Sequence, residues 1–331
     1  MKRLSDTVVA RLQAEMQVPD LSGLRYSVVR YLARGGMGTV WLAEDTVLKR
    51  RVALKVLDLV APADDLATRL LQEARILAGL EHPGIVPVHE AGTLADGRAF
   101  YCMKYVEGQT LSQHIANKSL PKKLRLLDRI AEPLDFAHAR GFIHRDLKPE
   151  NIMIGAFGEV LVMDWGLAKA AAPDLKIAGN ETATSGQPIQ NSFRVTGRGS
   201  ILGTPGYMSP EQARGEAHTD HRTDIFSLGA ILWFMLAGSA PGEQLEAPPG
   251  LPRPLRAICG KAMAPDPRAR YQSAGEMTTD IAHYLNGEPV SAYPESLLER
   301  GNRILARHRT AVILVAVYLL MRVLFILLAH R

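Results

Sequence analysis

The octapeptide HRDLKPEN, His144 to Asn151, sets two carboxylates, three basic side chains and a carboxamide within eight positions. DWG, Asp164 to Gly166, begins eighteen positions after Asp146. Three more runs keep a fixed order with these two: LARGGMGTVW from Leu32, VALK from Val52 to Lys55, and GTPGYMSPE from Gly203 to Glu211. Each run alone is weak. Five in order bind distant parts of the chain to one architecture, because residues of this chemistry act only when a fold brings them together.

Hydrophobic periodicity supplies the scaffold. From Tyr26, YSVVRYLA, GTVWLAED and RRVALKVLD are β-rich runs around the glycines, which predicts three antiparallel strands. DDLATRLLQEARILAGL carries apolar residues at helical spacing, with an aspartate-rich start and Gly79 near its end. GIVPVHEAGTL and RAFYCMKYV read as two further strands. After Gly108 the pattern turns helical, through LPKKLRLLDRIAEPLDFAHARG, DIFSLGAILWFMLAG, LRAICGKAM and GEMTTDIAHYLNG. Residues 170–200 are polar and suit a long loop. The expected fold is α+β, a small β-rich lobe followed by a larger helical one.

On the five ordered runs, the chain resembles the bacterial serine/threonine protein kinases related to eukaryotic ones, called Hanks-type, over about residues 26–285. The resemblance implies a two-lobed protein-kinase fold, with an N-lobe over 26–106 and a C-lobe over 107–285. It also implies a function: transfer of phosphoryl from ATP, with Mg2+, to serine and threonine hydroxyls of proteins in signal transduction, including the activation loop of the chain itself. A nucleotide-binding pseudokinase scaffold is the alternative, and the presence of Lys55, Asp146 and Asp164 argues against it.

The resemblance assigns roles residue by residue. Ala33, Gly35, Gly36, Gly38, Val40, Ala53, Lys55, Glu73, Met103 and Tyr105 would surround the nucleotide. A lone cation on an apolar strand is costly to bury, so Lys55 makes sense facing phosphates and a helix carboxylate, for which Glu73 is the choice. Asp146 would accept, or orient, the substrate hydroxyl proton, and Lys148 would steady the transferred group. Asn151 and Asp164 would offer oxygens to two magnesium ions. Asp224 resembles the helix aspartate that anchors the catalytic-loop backbone, and Glu211 with Arg270 a buried structural ion pair. Arg145 is the arginine expected where loop phosphorylation controls activity, with Thr196 and Ser200 as favoured sites. Thr204, with Lys148, matches the serine/threonine branch. Two departures stand out. Trp165 replaces the usual phenylalanine, and Ala33 holds the place of the first glycine, tolerable if its backbone is extended with φ below zero. The segment 238–255 is also short for the family.

The ends carry other signals. Residues 1–25 form a polar-apolar leader without a signal-peptide core. Residues 311–329 are apolar apart from Arg322. As a helix they would reach about 28 Å, near the hydrocarbon thickness of a bilayer. Their 13 Val, Ile, Leu and Phe residues favour insertion by about 4–8 kcal/mol, against a cost of about 2.5–3.5 kcal/mol for a central arginine. A transmembrane helix over 311–329, behind a basic juxtamembrane segment over 286–310, would place the kinase domain in the cytoplasm at the cell membrane. A homodimer through that helix is an open alternative. The net charge of +5 is concentrated near this segment, which argues against a nucleic-acid partner. The two cysteines, Cys102 and Cys259, lie in apolar runs and read as buried thiols.

Overall fold

The computed structural model describes residues 18–35, 38–57, 74–75, 77–165, 169–170, 206–216, 219–242, 250–307 and 309–329. Its first part is a five-stranded antiparallel sheet. The strands are β1 (Tyr26–Arg34), β2 (Gly38–Asp45), β3 (Arg50–Leu57), β4 (Val88–Thr93) and β5 (Ala99–Lys104), in the order β1-β2-β3-β5-β4. All five expected strands are present, within a few residues of the predicted runs.

β3 is buried on both faces, and the two-residue strand period divides its side chains between two cores. Val52, Leu54 and Val56 join Tyr26, Trp41, Phe100 and Cys102 in an outer cluster. Ala53 and Leu57 face the opposite way, into the large core shared with the helices. Lys55 stands between them in sequence and therefore on that inner face. It is only 7% exposed. The register sets Lys55 opposite Val40 on one side and Tyr101 on the other, and Ala53 opposite Met103.

β2 and β3 approach closely at Gly38. A β-carbon built there would lie 2.2 Å from the Val56 carbonyl oxygen and 3.0 Å from its carbon, atoms that cannot rotate away. Gly38→Ala should therefore lower stability by about 1–3 kcal/mol through overpacking, read as a fall in melting temperature. An unchanged melting temperature would show that the strand pair can part freely.

The second part is built on helices α1 (Leu111–His114), α2 (Leu120–Ala139), α3 (Pro210–Ala213), α4 (Arg222–Ala237), α5 (Arg253–Ala262) and α6 (Ala274–Leu285). In α2, Leu124, Leu127, Ile130, Ala131, Leu134 and Ala137 recur at three- and four-residue intervals and are all buried. α4 is buried all round, from Ile225 to Trp233 and again at Met235, as a helix apolar on every side must be. It stops at Gly238, whose φ of 80° suits glycine.

The second lobe is less purely helical than its sequence suggests. Short strands β6 (Gly108–Thr110), β8 (Ile152–Gly155) and β9 (Val160–Val162) form a sheet in the order β6-β8-β9, and β7 (Phe142–Ile143) pairs with β10 (Lys169–Ala170). The HRDLKPEN run is the connection from β7 to β8, closed by a 3-10 turn over Pro149–Asn151. Packing also continues past residue 285. Val290 is buried, and Asp280 accepts from the Ser291 amide at 2.7 Å, the Ala292 amide at 3.1 Å and the Tyr271 hydroxyl at 2.7 Å.

Two helices follow, α7 (Leu297–Arg307) and α8 (Arg309–Ala329). α8 covers the expected apolar span, and Ile313, Leu314, Tyr318, Leu320 and Phe325 are exposed. Among the residues whose side chains are described, no helix is long and apolar enough to cross a membrane.

Candidate active site

The catalytic-loop run is shaped by one buried carboxylate. Asp224, in the first turn of α4, is fully buried. Its Oδ2 accepts the His144 amide at 2.8 Å and its Oδ1 the Arg145 amide at 2.9 Å. Arg145 has a φ of 67°, a left-handed conformation that costs an L-residue roughly 1–2 kcal/mol. The two bonds from Asp224 hold that kink, and Gln212 Nε2 donates to the Arg145 carbonyl at 2.7 Å from the other side. His138 Nε2 lies 2.7 Å from Asp224 Oδ2. Burial works to raise the Asp224 carboxyl, but His138, His144 and the Arg145 amide hold it below the usual range. The sequence pointed to Asp224; it did not point to His138 or Gln212. Gln212 directly follows Glu211 in SPEQ, which is the signal that could have found it.

His144 fixes the next layer. Its Nε2 lies 3.0 Å from the Met163 carbonyl and its Nδ1 accepts the Asp146 amide at 3.3 Å. Nε2 is therefore the protonated nitrogen, since a carbonyl can only accept. The ring lies 4.6 Å from that of Trp165. Trp165 is completely buried, and its Nε1 donates to the Val162 carbonyl at 3.3 Å. The tryptophan keeps the packing role expected of phenylalanine there and satisfies its added N–H.

The reactive groups converge beyond this scaffold. Lys148 Nζ lies 2.8 Å from Asp146 Oδ2. Asn151 Nδ2 donates to the Asp146 carbonyl at 2.8 Å and to its Oδ2 at 3.3 Å. Across the cleft, Lys55 Nζ lies 2.7 Å from Asp164 Oδ1 and 5.6 Å from the Tyr101 ring centre. Desolvation pushes the Asp164 carboxyl upward, but the Lys55 ammonium outweighs it and holds the group below the ordinary carboxylate range. Asp164 is itself left-handed, with φ of 60°. Non-glycine residues held in that region gather at functional sites.

The donor set suits magnesium. Asn151 spends its amide N–H on Asp146, so its carbonyl oxygen is the atom available to a cation, and Asp164 supplies a half-exposed carboxylate. Among the described residues no cluster of three or more His, Cys, Asp or Glu side chains forms a ready cage. Magnesium does not require one, since it is commonly held by one or two protein oxygens, water and phosphate.

Val40 is half-buried, and Ala53 and Met103 are buried, all three packed in or against the large core. Tyr105 follows β5, whose last residue, Lys104, donates its amide to the Pro87 carbonyl at 3.0 Å. Ala33 lies in β1 opposite Val40, just past a bulge, and is not among the positive-φ residues. The alanine meets the condition set for it. Gly35 donates its amide to the Gly38 carbonyl at 2.8 Å. Ala33→Gly should cost roughly 0.5–1 kcal/mol of stability and leave the ATP KM within about threefold, as expected where an extended backbone already admits a methyl group. A larger fall in KM would show that the methyl hinders the nucleotide. Gly36, Glu73, Thr196, Ser200 and Thr204 lie outside the described residues, as does 243–249 of the short segment.

Glu211 and Arg270 meet as expected. Arg270 Nη1 and Nη2 donate to the two Glu211 oxygens at 2.6 and 2.7 Å, and Thr223 adds a bond at 2.8 Å.

Comparison with known proteins agrees with this geometry. The chain is similar to the serine/threonine-protein kinase PknD of Chlamydia felis, with 36% identity over 298 residues, 80% of this chain and 31% of that protein. PknD of Chlamydia trachomatis serovar D is 37% identical over 313 residues, 83% of this chain and 33% of that protein. The chain thus spans about a third of the length of the curated relatives it matches. Among solved structures, the PknI kinase domain of Mycobacterium tuberculosis aligns with a TM-score of 0.57 at 27% identity, covering 79% of this chain and 96% of that one. A family model described as the protein kinase domain matches residues 26–253, which hold all five ordered runs, and the chain belongs to that family.

Proposed function

We propose that the chain transfers the γ-phosphoryl group of ATP to serine and threonine hydroxyls of proteins, its own activation loop included, while held at a membrane. The observation that carries this reading is the cluster of Asp146, Lys148 and Asn151, tied through the Met163 amide on the Asn151 carbonyl to the neighbouring Asp164 and its partner Lys55. The substrate oxygen attacks the γ-phosphorus, the bond to the bridging oxygen of ADP breaks, and the hydroxyl proton passes to the Asp146 carboxylate. Lys148 stands beside that carboxylate, where its charge meets the phosphoryl group in transit. Lys55 holds the α- and β-phosphates. Asn151 and Asp164 would hold magnesium, which would supply positive charge to the phosphates. Phosphoryl transfer needs alignment and charge stabilisation above all, and these side chains supply both.

Arg145 supports control by a phosphorylated loop. Its Nε is buried with no acceptor among the described residues, and its Nη2 donates to the Thr219 carbonyl at 3.5 Å. Burial pulls its pKa down, so an arriving phosphate would relieve a desolvated cation. Anchoring is supported by the apolar run of α8 and its exposed side chains. The arginines before it favour a cytoplasmic kinase domain at the cell membrane, and homodimers would form through α8.

Incubation with labelled ATP, magnesium and a general protein substrate, followed by acid hydrolysis, tests the transfer. Label in phosphoserine and phosphothreonine is the expected result, and no label in substrate or chain would end the reading. Flotation of the full chain with neutral vesicles tests the anchor.

A further inference from the structure

The membrane reading leaves α7 without a role. Its sequence, LLERGNRILAR, divides by position. On a 3.6-residue helix, Leu297, Leu298, Gly301, Ile304 and Leu305 share one broad face, while Arg300, Arg303 and Arg307 recur at spacings of three and four along its flank. Leu297 and Leu298 are 87% and 82% exposed. Arg300 is exposed too. A helix that packed its apolar face on the kinase body would bury those leucines.

The start of α7 is nevertheless fixed. The Glu299 carboxylate accepts the Ser296 amide at 3.0 Å while Ser296 Oγ accepts the Glu299 amide at 3.2 Å, a reciprocal cap. The other Glu299 oxygen takes the Tyr293 hydroxyl at 2.8 Å, and Tyr293 packs against the large core. Glu295 holds Arg303 at 3.0 and 3.1 Å. The helix is thus tied to the catalytic body at one end and runs toward the apolar α8 at the other.

We propose that α7 is an interfacial helix whose leucine face enters the surface of an anionic phospholipid bilayer while Arg300 and Arg307, flanking the Arg303 that Glu295 already holds, take the lipid phosphates. Charge complementarity and continuity with α8 choose this occupant. A bare apolar stripe would fit a second copy of the chain equally well, but the arginine flank would then meet its own like charges. An exposed apolar face flanked by arginine is the pattern of helices that lie in the plane of a membrane surface. The proposal rests on the α8 anchor for its membrane, and it has the added consequence that the catalytic body is held in one orientation on that surface.

A single cysteine can report on this. Cys102 and Cys259 are both buried, and burial raises both thiols, Cys259 to about 12, so neither competes for label. A β-carbon at Gly301 meets nothing within 4 Å, so Gly301→Cys fits at the centre of the apolar face. The full chain carrying this cysteine, labelled with an environment-sensitive nitrobenzoxadiazole dye, would be mixed with vesicles of phosphatidylcholine alone. A second set would contain about 30% phosphatidylglycerol, near the anionic content that gives a strong surface potential. Flotation with both sets is expected, with emission shifted to the blue on the anionic set. Arg300→Glu with Arg307→Glu should lower the ratio of buried to free dye at least about tenfold while flotation persists. Flotation with a dye that stays in water on anionic vesicles overturns the α7 proposal and leaves the anchor standing. Equal blue shifts on both sets overturn the recognition of anionic lipid. A concentration-dependent shift without vesicles overturns it in favour of a second copy. Failure to float with neutral vesicles refutes the α8 anchor instead.

Discussion

Asp146→Asn is expected to lower kcat by about 10²–10⁴-fold, the range lost with a positioned general base, with the ATP KM nearly unchanged. The substitution keeps the shape of the side chain and removes its charge and its ability to take a proton. Lys148 Nζ and Asn151 Nδ2 both approach Asp146 Oδ2. Two donors that faced a carboxylate would then face an amide, which can satisfy them only with its oxygen. The nucleotide's expected contacts, Lys55 and Asp164, pair with each other. Steady-state kinetics with varied ATP decides the matter, with a melting curve to confirm folding. A kcat within a few-fold of wild type would remove Asp146 from the chemistry.

Arg270→Ala should be the most damaging single change to stability outside the cleft, about 3–5 kcal/mol, the cost of stranding one partner of a buried pair. Both side chains are almost fully buried, and the guanidinium meets the carboxylate through two parallel bonds. Desolvation by itself would raise the Glu211 carboxyl. The Arg270 fork, with backbone and Thr223 bonds, overcomes it and holds the group at about 2 rather than 4.5. A depressed folded pKa gives stability that is complete above the unfolded value and fades as pH falls from about 4.5 toward 2. Chemical denaturation across that window should show this loss in the wild type. It should be absent in a Glu211→Gln, Arg270→Met double variant, which leaves no charge stranded and should be more stable than Arg270→Ala alone. If the single variant melts with the wild type, the pair has no structural weight.

Much of this arrangement is legible in the sequence, for reasons that differ by element. The five strands of the first lobe announce themselves because each alternates or runs apolar between glycines and charges. α2 and α4 do so because their apolar residues repeat at helical spacing over many turns. The strands β6, β8 and β9 are only three or four residues long, too short for any period to emerge, and β6 and β8 contain glycine. They exist because Gly108 lets two backbones meet, its would-be β-carbon lying 2.1 Å from the Ile154 carbonyl. At the site, Lys55 is conspicuous as a lone cation on an apolar strand, and Asp224 is legible through the resemblance of TDIFSLG to the kinase helix that carries such an aspartate. His138 and Gln212 were silent because a histidine or glutamine on a helix commonly faces water. Nothing in local sequence says that His138 meets the Asp224 carboxylate or that Gln212 meets the Arg145 carbonyl. Gly38 carries a second constraint that its place in a glycine turn does not announce, since a β-carbon there would meet the backbone of the neighbouring strand.

The bonds from Asp224 to the amides of His144 and Arg145 span about 80 residues of chain. Contacts of such separation form late, because closing a long loop costs entropy before it gains packing. During synthesis, the Asp146 loop would leave the ribosome well before the carboxylate that bends it, and Arg270 emerges later still. A growing chain of this design can bind nothing productively until its second lobe has docked. The shape of the Asp146 loop therefore waits on a helix made about 80 residues later.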